Sequence, residues 1–294
     1  MRERGNLPRS VARAYSPSHI TGFFAIHEDN NPLIKGSLGC GIVLESGCVT
    51  EVSFGTESRG TTRIEINGQV EEAQTTQYVL ERLAGASEVT VATNFDVPVG
   101  CGFGASAAGA LSTALALKEL LALDMTLNEV AQIAHCAEVA NSTGLGDVIA
   151  ETYGGVVIRK KPGAPEIGVI DRIPHRNARI SYVALGEKLT KSVLAEGGAE
   201  LKRRINEAGR EALKALLQKP TLETFMHVSR EFSLRIELIS DTCKDAIEAV
   251  AAEGKVASVA MLGETVFVIG DSEALREFGD VKESRISDTG VQII

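Results

Sequence analysis

A run of glycines and two carboxylates carry most of the chemistry this sequence offers. Gly100, Gly102 and Gly104 lie in Pro98-Val-Gly-Cys-Gly-Phe103-Gly-Ala105-Ser106-Ala107-Ala, directly ahead of an alanine- and leucine-rich stretch that favours helix as far as Leu123. Glycines let a backbone approach an anion closely and turn its amides inward. The first amides of the helix that follows lack internal acceptors and carry the positive end of its dipole. Together they make a cradle for phosphate. The same composition also suits a turn whose small residues serve close helix packing, and both readings are open at this level. A Walker loop is excluded, since no Gly-Lys-Ser/Thr occurs in the chain. Gly102-x-Gly104-x-x-Ala107 has the spacing of a dinucleotide fingerprint, but a loop separates it from the preceding strand and a second helix follows its own.

The two carboxylates are Glu138 and Asp147. Leu127, Val130, Ala131, Ala134 and Glu138 share one side of a helix expected over Thr126–Ala140, opened by Thr126 and Glu129 at capping-box spacing. A carboxylate on that apolar face either meets a cation or metal, or reaches solvent from the helix end. Asp147 follows in Asn141-Ser-Thr-Gly-Leu-Gly-Asp147. It either caps a short helix over 148–153 or, with Gly144 and Gly146 opening the backbone beside it, faces a ligand. Phosphoryl transfer needs such parts: amides and a cation for the charge on the phosphoryl oxygens, and a carboxylate for the proton of the acceptor hydroxyl.

These residues must be held by strands and helices. Short strands are expected at Val11–Tyr15, Gly41–Leu44 and Cys48–Phe54, the last two as a hairpin around Glu45-Ser46-Gly47. A strand over Thr61–Ile66 runs into Asn67-Gly68, which supplies the positive φ angles of a tight turn. A helix at Glu72–Leu83, a strand at Glu88–Thr93 and a strand at Val156–Arg159 frame the glycine run and the carboxylates. Lys160–Pro174, rich in proline and glycine, reads as a linker dividing residues 1–165 from 166–294. Beyond it come a strand at Arg179–Leu185, helices over Gly198–Gln218, Leu222–Ile239 and Thr242–Ala252, and strands at Val256–Met261 and Thr265–Ile269. Without strict βαβ alternation the pattern predicts an α+β fold, strand-rich in its first part and helix-rich in its second.

Composition narrows the function classes. The 294 residues are 44% hydrophobic and 23% charged, with a net charge of −9, so the chain is globular and a poor general binder of nucleic acid or anionic membrane. No apolar run approaches the roughly 20 residues of a membrane helix, and the arginine-bearing opening stretch is not expected to be a signal peptide. Five scattered cysteines without a C-x-x-C pair fit buried thiols in a reducing cytoplasm.

The segment Pro98–Ala108 resembles the signature Pro-x-x-x-Gly-Leu-Gly-Ser-Ser-Ala-Ala of the GHMP kinase superfamily, with Phe103 and Ala105 as departures. Asp147 in Gly-x-x-Asp, followed by Gly154-Gly155, resembles the catalytic stretch of the same family. The resemblance implies a two-domain GHMP-kinase-like fold that uses ATP and Mg²⁺. It places the phosphates on the loop Pro98–Ala107, the metal on Ser106 and Glu138, and the base role on Asp147. Ser-Pro-Ser-His19-Ile-Thr, the run Gly36-Ser37-Leu-Gly-Cys-Gly41 and Met261-Leu-Gly-Glu264 are similar to the archaeal pantoate kinase branch, which implies pantoate as acceptor. Homoserine, shikimate and mevalonate-pathway kinases, or a ligand-binding protein of the same fold, are the alternatives. A carboxylate substrate calls for a cation, and Arg159 is the candidate, its alternative being a solvent-facing place beside Lys160 and Lys161. His19 is either a donor to substrate or a satisfied core histidine, and Ser37 lies in a loop able to close over ligand. The oligomeric state is not set by the sequence, which allows a homodimer.

Overall fold

The computed structural model describes residues 10–54, 62–85, 87–187 and 198–294. Two strands far longer than the sequence suggests form its spine: β1 (Val11–His27) and β2 (Gly36–Phe54), antiparallel along their whole length. On the far side of β2, its second half pairs with β5 (Val89–Phe95) and its first half with β6 (Val156–Lys161). β3 (Arg63–Ile66) and β4 (Gln69–Val70) extend the β5 edge, and β7 (Val169–Ile173) extends the β6 edge. β12 (Gln292–Ile293) closes the opposite side against Ala14 and Tyr15 of β1. A second, four-stranded sheet has the order β11-β8-β10-β9, from β8 (Arg179–Gly186), β9 (Ala257–Val259), β10 (Glu264–Ile269) and β11 (Lys282–Arg285).

The spine passes from one hydrophobic core to another. Ala12 and Ala14 of β1 and Val52 of β2 pack under helices α1 (Gln74–Leu83), α2 (Ala105–Leu120) and α3 (Leu127–Asn141). Further along, Ile20, Phe23, Phe24 and Ile26 of β1 pack with α5 (Ala199–Gln218), α6 (Leu222–Ile236), α7 (Asp241–Ala252) and the second sheet. The switch between cores falls at a bulge, where Pro17 pairs with Gly47 but Ser18 pairs with Leu44. Bulges bend a strand and re-aim its side chains. The expected hairpin at Glu45-Ser46-Gly47 is therefore a bulge in one continuous strand, held by hydrogen bonds from Tyr15 Oη to Glu45 O (2.5 Å) and Ser18 Oγ to Ser46 O (2.6 Å).

Other departures are smaller. Lys160–Pro174, read as a linker, contains the end of β6 and all of β7, which pair with each other. α6 stops at Ile236, where Glu237 turns left-handed (φ 55°), short of the expected Ile239. The Asn67-Gly68 turn has the expected positive φ at both residues, 51° and 78°. Thr61 of the expected strand lies outside the described residues.

Helix α2 is buried nearly all round and rests on a chain of hydroxyls. Ser112 Oγ lies 2.7 Å from Thr50 Oγ1, which lies 2.9 Å from Thr93 Oγ1, tying α2 to β2 and β5. A buried hydroxyl that loses its partner costs about 1–3 kcal/mol. Thr50→Val keeps the shape and breaks both links, so denaturant unfolding should show a loss of about 1–3 kcal/mol; an unchanged midpoint would show that the hydroxyl chain adds nothing.

Candidate active site

α2 begins as an anion site requires. Its N-cap is Gly104, left-handed at φ 65°, and no side chain caps the first turn. Gly100 and Gly102 ahead of it also have positive φ, 81° and 94°. The amides at Ala105–Ala107 are thus left for an outside acceptor. The loop also packs closely, because a Cβ on Gly102 would sit 3.0 Å from that of Ala260. The small residues of the glycine run thus serve close packing, and the same loop leaves the amides at the start of α2 bare. Phe103 points away from the loop into the core, edge-on to Tyr182 at 4.9 Å, and its carbonyl accepts from the His19 amide at 3.0 Å. Pro98 is exposed at the start of the loop.

Asp147 is the first residue of α4 (Asp147–Tyr153), whose N-cap is Gly146, so the capping alternative does not apply. Its Oδ1 accepts a hydrogen bond from His19 Nδ1 at 2.7 Å. Thr21 Oγ1 stands 3.4 Å from both atoms. His19 is fully buried, which lowers its pKa and keeps the imidazole neutral. Burial also opposes the charge of Asp147, but the hydrogen bond from His19 and the nearby Arg159 bring its pKa below the ordinary value. His19 therefore lies behind Asp147 and orients it.

Glu138 is 2% exposed, which removes the alternative that it reaches solvent. Its Oε1 accepts from Thr143 Oγ1 at 2.7 Å, Ser106 also hydrogen-bonds the carboxylate, and Oε2 has no partner. A Cβ on Gly144 would lie 2.1 Å from Glu138 Oε2 and 3.1 Å from Asp147 Oδ2, so the missing side chain leaves these oxygens room. An orphaned carboxylate oxygen beside the Ser106 hydroxyl, next to bare amides, suits Mg²⁺, which binds through one or two carboxylates plus phosphate oxygens and water. Among the described residues, no three acidic, histidine or cysteine side chains form a metal cage by themselves.

One acidic residue escaped the sequence reading. Glu151, one helical turn after Asp147, is fully buried with neither carboxylate oxygen partnered. Its Oε1 would lie 2.5 Å from a Cβ on Gly104, so it sits directly beneath the start of α2. Burial, then Asp147 and Glu138, push its pKa well above the usual carboxylate range. The i, i+4 spacing from Asp147 on a short helix between glycines was the signal that could have found it.

A small, half-open cleft lies among these parts. Asp147, Thr21, Gly102 and Gly104 line it, with Ser37, Arg159 and an apolar side made by Phe24, Met261 and Leu262. Arg159 is 2% exposed, so it does not face solvent, and its Nε and one terminal nitrogen have no partner. A buried guanidinium with free donors is costly unless an anion completes it. Ser37 lies not in a loop able to close but buried in β2, paired with Ile26 of β1; its Oγ is 3.4 Å from Leu145 O and flanks Gly146 beside Arg159.

Residues 71–155 match the GHMP kinases N terminal domain. The chain is 39% identical over 274 residues to pantoate kinase of Thermococcus kodakarensis, covering 90% of this chain and 89% of that protein. It is 36% identical over 268 residues to pantoate kinase of Methanocaldococcus jannaschii, covering 90% and 94%. Among solved structures, a phosphotransferase related to the CoA biosynthesis pathway superposes with a TM-score of 0.86 at 32% identity, over 97% of this chain and 98% of that one.

The carboxylate cluster sets a pH dependence of stability. Burial, more than the nearby charge of Asp147, pushes Glu138 up to about 7 from an ordinary 4.5. The folded protein then holds a proton that the unfolded chain has released, so Glu138 stabilises below pH 4.5 and loses that contribution as pH rises through 7. The loss is on the order of 3 kcal/mol. In metal-free buffer, Glu138→Gln should therefore gain stability relative to wild type between pH 5 and pH 8, measured by thermal unfolding. A constant difference across that range would contradict the assignment.

Proposed function

The chain belongs to the pantoate kinase branch of the GHMP kinases, and we propose that it transfers the γ-phosphoryl group of ATP to the primary hydroxyl of D-pantoate. The product is 4-phosphopantoate, on the archaeal route to coenzyme A. One observation carries this beyond the relatives: the cleft that holds Asp147 also holds a buried guanidinium with free donors. An acceptor with a hydroxyl at one end and a carboxylate at the other matches both. No helix among the described residues is long and apolar enough to cross a membrane. We place the reaction in the cytoplasm, where the five free cysteines stay reduced.

Each residue then has a task. Arg159 pairs with the substrate carboxylate, and Ser37 lies beside it for the hydroxyl next to that carboxylate. Asp147, ionised and held by the hydrogen bond from His19, accepts the proton of the primary hydroxyl as that oxygen attacks phosphorus. The loop Pro98–Gly104 and the amides of Ala105, Ser106 and Ala107 hold the nucleotide phosphates. Ser106 and Glu138 would hold Mg²⁺, which when bound neutralises charge on the phosphoryl oxygens. Glu151, kept neutral by burial, adds no charge beneath the phosphates.

A coupled assay of ADP release tests the roles separately. Asp147→Asn should lower kcat by about two orders of magnitude or more with ATP affinity unchanged. Full turnover in that variant would remove Asp147 from the proton transfer. A charge-assisted contact is worth about 1.5–3 kcal/mol, so Arg159→Ala should raise KM for pantoate by roughly ten- to a hundred-fold and leave KM for ATP alone. Equal weakening of both substrates would make Arg159 a structural residue.

A further inference from the structure

Leu262 adopts a conformation that leucine rarely takes. Its φ is 63°, in the left-handed region, at the third position of a turn closed by Gly263 N donating to Ala260 O at 3.1 Å. Turns with positive φ at that position take glycine or asparagine, and a bulky residue there stores strain. The adjacent glycine does not take up the left-handed position. Gly263 instead presses against the phosphate loop, where a Cβ would meet Cys101 O at 2.2 Å.

The surroundings hold the turn in place. The Met261 amide donates to Thr21 O at 2.9 Å, and Thr265 Oγ1 donates to Cys101 O at 2.7 Å. The turn is thus clamped between β1 and the glycine loop. Strain of this kind persists only where neighbouring structure enforces it, and such positions cluster at ligand sites. Here the strained leucine lines the cleft shared by Asp147 and Arg159. With Phe24 and Met261 it supplies apolar lining of that cleft.

We propose that Leu262 is the specificity residue for the acceptor, its strained backbone aiming an apolar side chain at the dimethyl carbon that lies between the primary hydroxyl and the carboxylate end. This rests on pantoate being the acceptor. The carbon between the two functional ends of that molecule carries two methyl groups, and the polar residues of the cleft have no use for them. A methylene in a fitted apolar pocket is worth about ten- to two-hundred-fold in discrimination. The contacts of this turn with the glycine loop are made by Ala260, Gly263 and Thr265, so changing the Leu262 side chain leaves that loop in place.

The test compares D-pantoate with 2,4-dihydroxybutanoate, which lacks both methyl groups, as acceptors. Two variants are needed. Leu262→Asn keeps the approximate shape, tolerates the left-handed backbone and removes the apolar surface; Leu262→Gly removes the side chain and the strain. Wild type should prefer pantoate by about a hundred-fold in kcat/KM, and both variants should cut that preference to about ten-fold or less. KM for ATP and the turnover of 2,4-dihydroxybutanoate should change little, and the melting temperature should hold or rise as strain is released. An unchanged preference, or an equal loss with both acids, would overturn the inference while leaving the pantoate reading intact. A wild-type enzyme that phosphorylates neither acid would overturn both.

Discussion

A neutral imidazole hydrogen-bonded to a carboxylate is the contact on which the site depends. His19 and Asp147 are far apart in sequence, on β1 and α4, and their 2.7 Å bond fixes where α4 starts. Once Asp147 is placed, Glu151 one turn later must lie beneath the glycine loop, and Gly144 and Gly146 must pass between buried side chains. The bond also settles the charge state. A neutral histidine that donates to Asp147 leaves it ionised and able to take a proton, without adding a positive charge that would hold the carboxylate shut.

The site contains more buried charge than a stable core would accept. Glu138, Glu151 and Arg159 each have donors or acceptors without partners in the protein. Such groups destabilise a fold unless something completes them, and they are concentrated around one cleft. Arg159 lines that cleft itself, and the orphaned oxygen of Glu138 lies beside Gly144, which also lines it. The protein gives up stability at these points, and a ligand that paired with them would restore it.

How much was legible in the sequence follows from how local each feature is. The glycine loop and the start of α2 could be read because their chemistry lies within about ten consecutive residues. The helices followed from their periodicity. β1 beyond Tyr15 could not be read, because Ser16-Pro17-Ser18 lacks alternation and proline usually argues against an interior strand. Pro17 is tolerated because β12 pairs only with Ala14 and Tyr15, so no partner needs the missing amide on that side. Glu45-Ser46-Gly47 looked like a turn because a bulge and a hairpin use the same residue types. His19 was singled out as a donor to substrate, and its hydrogen bond to Asp147 spans 128 residues of chain, too far for a local pattern to report. Glu151 and Leu262 owe their importance to contacts distant in the chain, which no local pattern reports.

The closure of β1 by β12 has a consequence for how the molecule is made. Residues 14 and 15, just ahead of the strand segment that carries His19, find their outer partners at 292 and 293. The Val291 amide binds the carbonyl of Glu151 at 2.9 Å, so the same late segment also braces α4. A chain emerging from the ribosome therefore exposes an unpaired strand edge through most of synthesis. Contacts this distant slow folding, because the entropy of closing so long a loop is lost before the contact is gained. A nascent chain caught before residues 291–293 emerge would hold the glycine loop beside an α4 that lacks this brace.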